Sequence, residues 1–348
     1  MRVFVTGGAG FVGKPTVRRL VEDRHEVRCL VRGTSHTKEL EELGCELAYG
    51  DVTDKASVLE GMRDCEWVVH LANVNSFWEP DRSVYRKVNV EGTRNVMEAA
   101  LEANVSKVVH VSTVIVWGNT ADAPFTEESP VGTKRFTEHA QSKYEGDEVI
   151  WELRRQRGLP VVVLYPGPVL GAGDPKVTGQ YVRDLIERRV PGRLFEDTAW
   201  TFVHVNDVAE AIVKALDKEG NEGEKYLIGK HTLTMGEFTR MVCEISGVPL
   251  PRRRLPGPVA MAGATLATKV ADLTGRPPFS GMSTDSMRNI KEGGVFDGSK
   301  AERELGLAYT PIREAVEEEV ASHRGRVSPS NGGLPRTPLL NRPRKPHE

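Results

Sequence analysis

The stretch Val3-Phe4-Val5-Thr6-Gly7-Gly8-Ala9-Gly10-Phe11-Val12-Gly13 constrains this chain more than any other. Three apolar residues with strand preference run into a turn whose glycines, Gly7, Gly10 and Gly13, recur every third position. A helix is expected from about Val12 to Glu22. Strand, glycine turn and helix in that order read as the opening βα unit of an α/β sheet. Glycine there lets the main chain approach a ligand and lets the helix pack close to the strand. The helix N-terminus offers free N–H groups and a positive dipole end, an arrangement that suits a pyrophosphate. The spacing is one residue longer than the dinucleotide fingerprint G-x-G-x-x-G. A dinucleotide site is therefore the expectation, with an ordinary tight turn as the plain alternative.

Downstream the chain alternates. Strands are expected at Glu26–Val31, Glu46–Tyr49, Trp67–Leu71, Lys107–Val111 and Pro160–Tyr165. Helices are expected between them at Lys38–Leu43, Ala56–Met62, Ser83–Glu102 and Phe136–Arg157. Continuously apolar strands separated by helices build a parallel sheet covered on both faces. Right-handed crossovers make such a sheet doubly wound and put ligands at the carboxyl ends of its strands. The expected fold class is α/β, a Rossmann doubly wound parallel sheet with a smaller, mostly helical C-terminal substrate domain. Residues 1–168 would form the cofactor domain, with about 200–230 returning to it through strand Thr201–His204 and helix Val208–Leu216. Residues 169–199 and 231–324 would form the substrate domain. The stretch 325–348, rich in proline, arginine, serine and glycine, is expected to be disordered.

Charge and cysteine usage exclude several classes. A net charge of −2 gives no field that would gather nucleic acid or an acidic membrane, so neither is expected as a partner. The apolar run Val259–Ala267 is too short to span a bilayer, and Lys269 and Asp272 close it off. Cys29, Cys45, Cys65 and Cys243 show no metal spacing, so no metal is expected and reduced thiols fit. With a strand starting at residue 2, no secretory leader is expected, and a cytoplasmic setting follows.

Further stretches carry a resemblance: Gly50-Asp51-Val52, His70-Leu71-Ala72, Asn89-Val90-Glu91-Gly92-Thr93, Ser112–Gly118, Ser142-Lys143, Tyr165-Pro166-Gly167 and Phe202-Val203-His204-Val205. With the glycine turn, and in this order, they resemble the extended short-chain dehydrogenase/reductases. These form the NAD-dependent epimerase/dehydratase family, and the dihydroflavonol-reductase-like branch is the nearest. The likeness covers about Arg2–His323. It implies that Gly7, Gly10, Phe11, Val12 and Gly13 cradle the pyrophosphate and that Asp51 and Val52 hold the adenine. It implies that Leu71, Ala72, Pro166 and Val169 line the cofactor, with Asn89 in a supporting polar network. It also implies a homodimer paired through Ser83–Glu102 and Phe136–Arg157. At the end of the second strand an NAD site wants a carboxylate for the ribose hydroxyls. This chain has Leu30-Val31-Arg32-Gly33 instead. A guanidinium suits a 2′-phosphate, so Arg32 points to NADP rather than NAD, against the alternative of a solvated arginine.

The family's chemistry uses a Ser or Thr, a Tyr, and a Lys four residues after the Tyr, on one helix face. The match puts the hydroxyl at Thr113 and the lysine at Lys143, which also holds the cofactor ribose. Four residues before Lys143 stands His139, not tyrosine. Three readings remain open here. His139 supplies the proton, Tyr144 or another group does, or the protein binds NADP without turning over a carbonyl. For the substrate pocket, the candidates are Asn73–Trp78, Trp117, the Pro168–Asp174 loop, Tyr181 and Trp200, whose aromatic rings suit a small, partly apolar molecule. The leading expectation is an NADP-dependent oxidoreductase interconverting a carbonyl and a secondary alcohol. A sugar-nucleotide epimerase or dehydratase and a non-catalytic NADP(H)-binding sensor or scaffold are the alternatives.

Overall fold

The computed structural model describes residues 1–326, so most of the tail expected to be disordered lies outside the described residues. Ten strands are described: β1 (Arg2–Thr6), β2 (Glu26–Val31), β3 (Glu46–Tyr49), β4 (Trp67–His70), β5 (Lys107–Val111), β6 (Val161–Pro166), β7 (Val169–Leu170), β8 (Ala199–His204), β9 (Lys225–Ile228) and β10 (His231–Thr234). The helices are α1 (Gly13–Glu22), α2 (Lys38–Glu42), α3 (Lys55–Met62), α4 (Thr93–Glu102), α5 (Glu138–Arg157), α6 (Val177–Ile186), α7 (Val205–Asp217), α8 (Met235–Ser246), α9 (Gly257–Thr274), α10 (Thr284–Glu292), α11 (Ser299–Leu305) and α12 (Ile312–Arg326).

Seven strands form one parallel sheet in the order β3-β2-β1-β4-β5-β6-β9. Strand residues alternate between two cores. Phe4, Val68, Val108 and Val163 face α3, α4 and α5. Val5, Val69, Val109 and Val162 face α1 and α7. Both faces are thus covered, which is why these strands read as unbroken apolar runs. The order reverses between β1 and β4, and a ligand crevice opens at such a switch point, beyond the carboxyl ends of the strands. Here those ends are Thr6 and His70.

Two expectations change. Strand β8 does not return to the large sheet. It pairs parallel with β7 and antiparallel with β10 in a separate sheet of three strands, while α7 packs on α1 and β9 takes the edge beside β6. The side chain of Thr201 bonds Thr232 of β10 at 2.9 Å, and its amide bonds the Gly294 carbonyl of the segment after α10. The helix expected over Ser83–Glu102 is continuous but widens to a π-helix over Tyr85–Gly92 before α4. That wide segment carries Asn89 towards the site. Helix α5 is capped by Thr137, whose hydroxyl accepts from Ala140 N at 3.0 Å, and it stops at Gly158, in the left-handed region at φ 70°.

Candidate active site at the sheet switch point

Sequence and strand register assemble the site. Thr6, His70 and His110 are register partners across β1, β4 and β5, so their side chains leave the sheet side by side. Thr6 Oγ1 lies 2.7 Å from His70 Nδ1, and His70 Nε2 lies 3.2 Å from the Thr93 hydroxyl. The His70 and His110 rings stand 5.0 Å apart. From above, α5 contributes His139, Lys143 and Asp147, four residues apart on one buried face. Lys143 Nζ donates to the Val111 carbonyl at 3.1 Å and lies 3.4 Å from His110 Nε2. Ser112 donates to Asp147 Oδ2 at 2.8 Å, and Asp147 Oδ1 stands 3.7 Å from His110 Nε2.

Burial tunes each of these groups. It lowers His139 to about 3, with the Lys143 charge adding to the effect, so the ring is neutral near pH 7. It lowers Lys143 to about 8, a shift that the Asp147 charge resists. It raises Asp147 to about 6, opposed by Lys143 and by the Ser112 hydroxyl. His70 is lowered to about 3 and His110 well below its ordinary value. The Nδ1 atom of His139 is buried without a hydrogen-bond partner among the described residues. Phe77 meets the His139 ring edge-on, with centroids 6.0 Å apart.

The glycine turn packs where the main chain leaves no room for a side chain. A Cβ on Gly13 would stand 2.1 Å from the Gly7 carbonyl oxygen. Gly7 has φ +75°, and a Cβ there would lie 2.7 Å from Ala72 N. The turn therefore touches the Leu71-Ala72 main chain, and the Ala72 amide lies 3.3 Å from the Thr6 hydroxyl. The amides of Phe11 and Val12 make no hydrogen bond among the described residues, and Gly10 is exposed beside them. A cradle that excludes a Cβ, with two free donors at a helix N-terminus, fits a pyrophosphate. Arg32 stands exposed at the end of β2 with no ion pair among the described residues.

The other expected cofactor residues are placed as follows. Asp51 Oδ1 accepts from Thr53 N at 2.9 Å and from the Thr53 hydroxyl at 2.8 Å, a local turn that engages one carboxylate oxygen. Val52 is buried against Gly92, and its carbonyl accepts from Asn95 at 2.9 Å. Pro166 ends β6 and is buried, while Val169 opens β7, half-buried. Asn89 accepts from Val74 N at 2.7 Å and donates to Ser142 at 2.9 Å, tying the loop after β4 to α5.

Thr113 is half-buried after β5, and its hydroxyl makes no hydrogen bond among the described residues, whereas neighbouring Ser112 is committed to Asp147. Tyr144 lies under the Arg135 guanidinium, 3.8 Å from ring centre to Cζ, which fixes it in a contact of its own. A cavity of about 280 Å³ includes Ser76, Phe77, Trp78, Tyr181, Met282 and Ile290 in its walls. Trp117 and Trp200 do not line it. Both are buried in the core, Trp117 against Phe125 and Tyr165. Asp174 of the Pro168–Asp174 loop accepts from Lys176 N and Gly179 N at the start of α6. His110 and Asp147 carry no mark in the sequence, and His70 is marked only as part of His70-Leu71-Ala72, without a role of its own. Asp147 could have been found by extending the four-residue spacing from His139 through Lys143.

Comparison with known proteins gives a consistent picture. A sequence profile of the NAD dependent epimerase/dehydratase family matches residues 3–229. The "Sterol demethylase protein B" of Methylococcus capsulatus is 32% identical, over 94% of this chain and 99% of its own. A "Putative dihydroflavonol 4-reductase" of Synechocystis sp. is 30% identical, over 91% of this chain and 93% of its own. Among solved structures, that titled gox2253 superposes with a TM-score of 0.80 at 34% identity, over 93% of this chain and 98% of that one.

Proposed function

Because the chain belongs to the NAD dependent epimerase/dehydratase family, we propose that it is an NADP-dependent oxidoreductase acting on a small, partly apolar molecule. The reaction interconverts a carbonyl and a secondary alcohol. Reductases among the relatives, 30% identical in the case of the Synechocystis protein, support the class of reaction. The apolar cavity walls support the character of the substrate.

The observation that carries the reading is His139. It is buried, neutral, free at Nδ1, one helical turn before Lys143, and in edge contact with Phe77 of the cavity wall. NADPH supplies the hydride when bound, held by the glycine turn and by Arg32 at the 2′-phosphate. Thr113 offers its free hydroxyl to the carbonyl oxygen. A neutral imidazole is a weak acid, so His139 acts here as a hydrogen-bonding relay. Lys143, lowered to about 8, is the nearby group that holds a proton at pH 7 and releases it most readily. Lys143 thus serves both the ribose and the proton.

The test is NADPH oxidation against a panel of ketones. His139→Phe should lower kcat by about a hundredfold or more while leaving NADPH affinity nearly unchanged. His139→Tyr should retain or raise turnover by restoring a phenol one turn before Lys143. Robust wild-type turnover that His139→Phe leaves unslowed would remove His139 from the chemistry. A wild type inert to every ketone, with His139→Tyr active, would favour the non-catalytic NADP(H)-binding reading.

A further inference from the structure

The run Val259–Ala267 is too short to span a bilayer, and the net charge of −2 offers an acidic membrane no overall attraction. Lying flat on a bilayer is a different geometry, and α9 has the shape for it. Only Ala264 and Ala271 of its 18 residues are fully buried. Its outer face carries Val259, Leu266, Val270 and Leu273, exposed by 59, 66, 50 and 87%. Their spacing of about seven, four and three residues keeps them on one side of the helix, with exposed Ala262 and Gly263 between them. Phe279, 65% exposed, follows just beyond the helix. The outer face of a surface helix ordinarily holds charged and polar residues.

Charge surrounds this stripe without neutralising it. Arg252 and Arg253 precede α9, Lys269 flanks the stripe and Arg276 follows it, all exposed. None of the four pairs with a carboxylate among the described residues. The acid of the helix, Asp272, is exposed but lies off the stripe, where it accepts from Trp78 Nε1 at 2.9 Å and pairs with Arg82. The local field is therefore positive although the chain as a whole is slightly negative. The segment after α9 also supplies Pro277, Pro278, Ser280, Gly281 and Met282 to the cavity wall, so stripe and cavity rim are continuous.

We propose that α9 and Phe279 dock on the surface of an anionic lipid bilayer. The apolar stripe enters the headgroup region, and Arg252, Arg253, Lys269 and Arg276 meet lipid phosphates. The cavity rim then faces the membrane, where apolar molecules are concentrated. A second copy of the chain suits the face less well, because a symmetric pair would set these unpaired cations against their own equivalents. The docking does not depend on the chemistry at His139.

Co-sedimentation of the full chain with phosphatidylcholine–phosphatidylglycerol vesicles, and with pure phosphatidylcholine vesicles, tests this. Wild type should pellet with the mixed vesicles and far less with the neutral ones. Leu266→Asp/Leu273→Asp should weaken binding by about tenfold or more with an unchanged melting temperature. If that pair melts early, Leu266→Gln/Leu273→Gln takes its place. Arg252→Ser/Arg253→Ser should reduce the preference for the anionic lipid. Wild type remaining in the supernatant overturns the proposal. So does a leucine variant that pellets like wild type, which would move the binding to another part of the chain. A wild-type dimer that the leucine variant splits would show that the face receives a second copy instead.

Discussion

At the scale of the residue, burial decides what His139 can do. Its ring stays neutral down to about pH 3 in the folded chain, whereas an unfolded histidine takes up a proton near its ordinary 6.5. Between those values the unfolded state binds more protons, so this group makes the fold less stable as pH falls from 6.5 towards 3. Asp147 acts oppositely. Its carboxyl, raised to about 6, favours the fold below that pH and loses that contribution as pH rises from 3.8 to 6. Lys143 at about 8 disfavours the fold at neutral pH, and the penalty fades as pH rises from 8 to 10.5. His139→Phe removes only the first effect. Urea unfolding at pH 6.5 and 4.5 should therefore show a smaller loss for the variant, by about 2 kcal/mol. Equal losses would mean that His139 takes up its proton in the fold as readily as in the unfolded chain.

At the scale of the element, helix α5 is set by its contact with the π-helical segment before α4. Gly146 is the reason the two approach so closely, since a Cβ there would lie 2.4 Å from the Asn89 carbonyl oxygen. The Asn89–Ser142 bond, one turn away, depends on that approach. Gly146→Ala should force the two helices apart, at a cost of about 1–3 kcal/mol in stability. The gain in helix propensity of about 1 kcal/mol offsets only part of this. Because Lys143 rides on the same helix, turnover should fall further than stability explains. Chemical denaturation with parallel kinetics measures both, and a Gly146→Ala variant as stable and active as wild type would refute the close-contact argument.

At the scale of the whole molecule, cofactor binding and folding are linked through the switch point. A cofactor held by the β1 turn and the end of β2 should raise stability by about 2.7 kcal/mol at a hundred times its dissociation constant. The family is described as NAD dependent, whereas this chain carries exposed Arg32 where an NAD site wants an acid. Thermal melts should therefore rise more with NADPH than with equimolar NADH. Arg32→Ala should remove most of that difference, which amounts to about 1.5 kcal/mol for one exposed charge-assisted pair. Equal shifts with both nucleotides in the wild type would reject NADP selection by Arg32. Among the described residues no helix is long and apolar enough to cross a membrane.

The sequence by itself determined the parallel sheet, because strands buried on both faces must be continuously apolar and the helices between them must be long enough to cross over. It located the glycine turn, since only glycine fits where Gly13 meets the Gly7 carbonyl. It marked His139 and Lys143 through one local spacing on one helix. What it left open depends on residues distant in the chain. Register alone aligns Thr6, His70 and His110, and helix docking alone sets Lys143 against His110. Trp117 and Trp200 look like pocket walls by composition and become core through packing. Strand β8 looks like a return to the main sheet until β10 offers it another partner. Whether the apolar stripe of α9 faces a core or solvent is decided only when α10 covers its opposite side. Local pattern fixes what an element is, and tertiary contact fixes which of its faces meets protein.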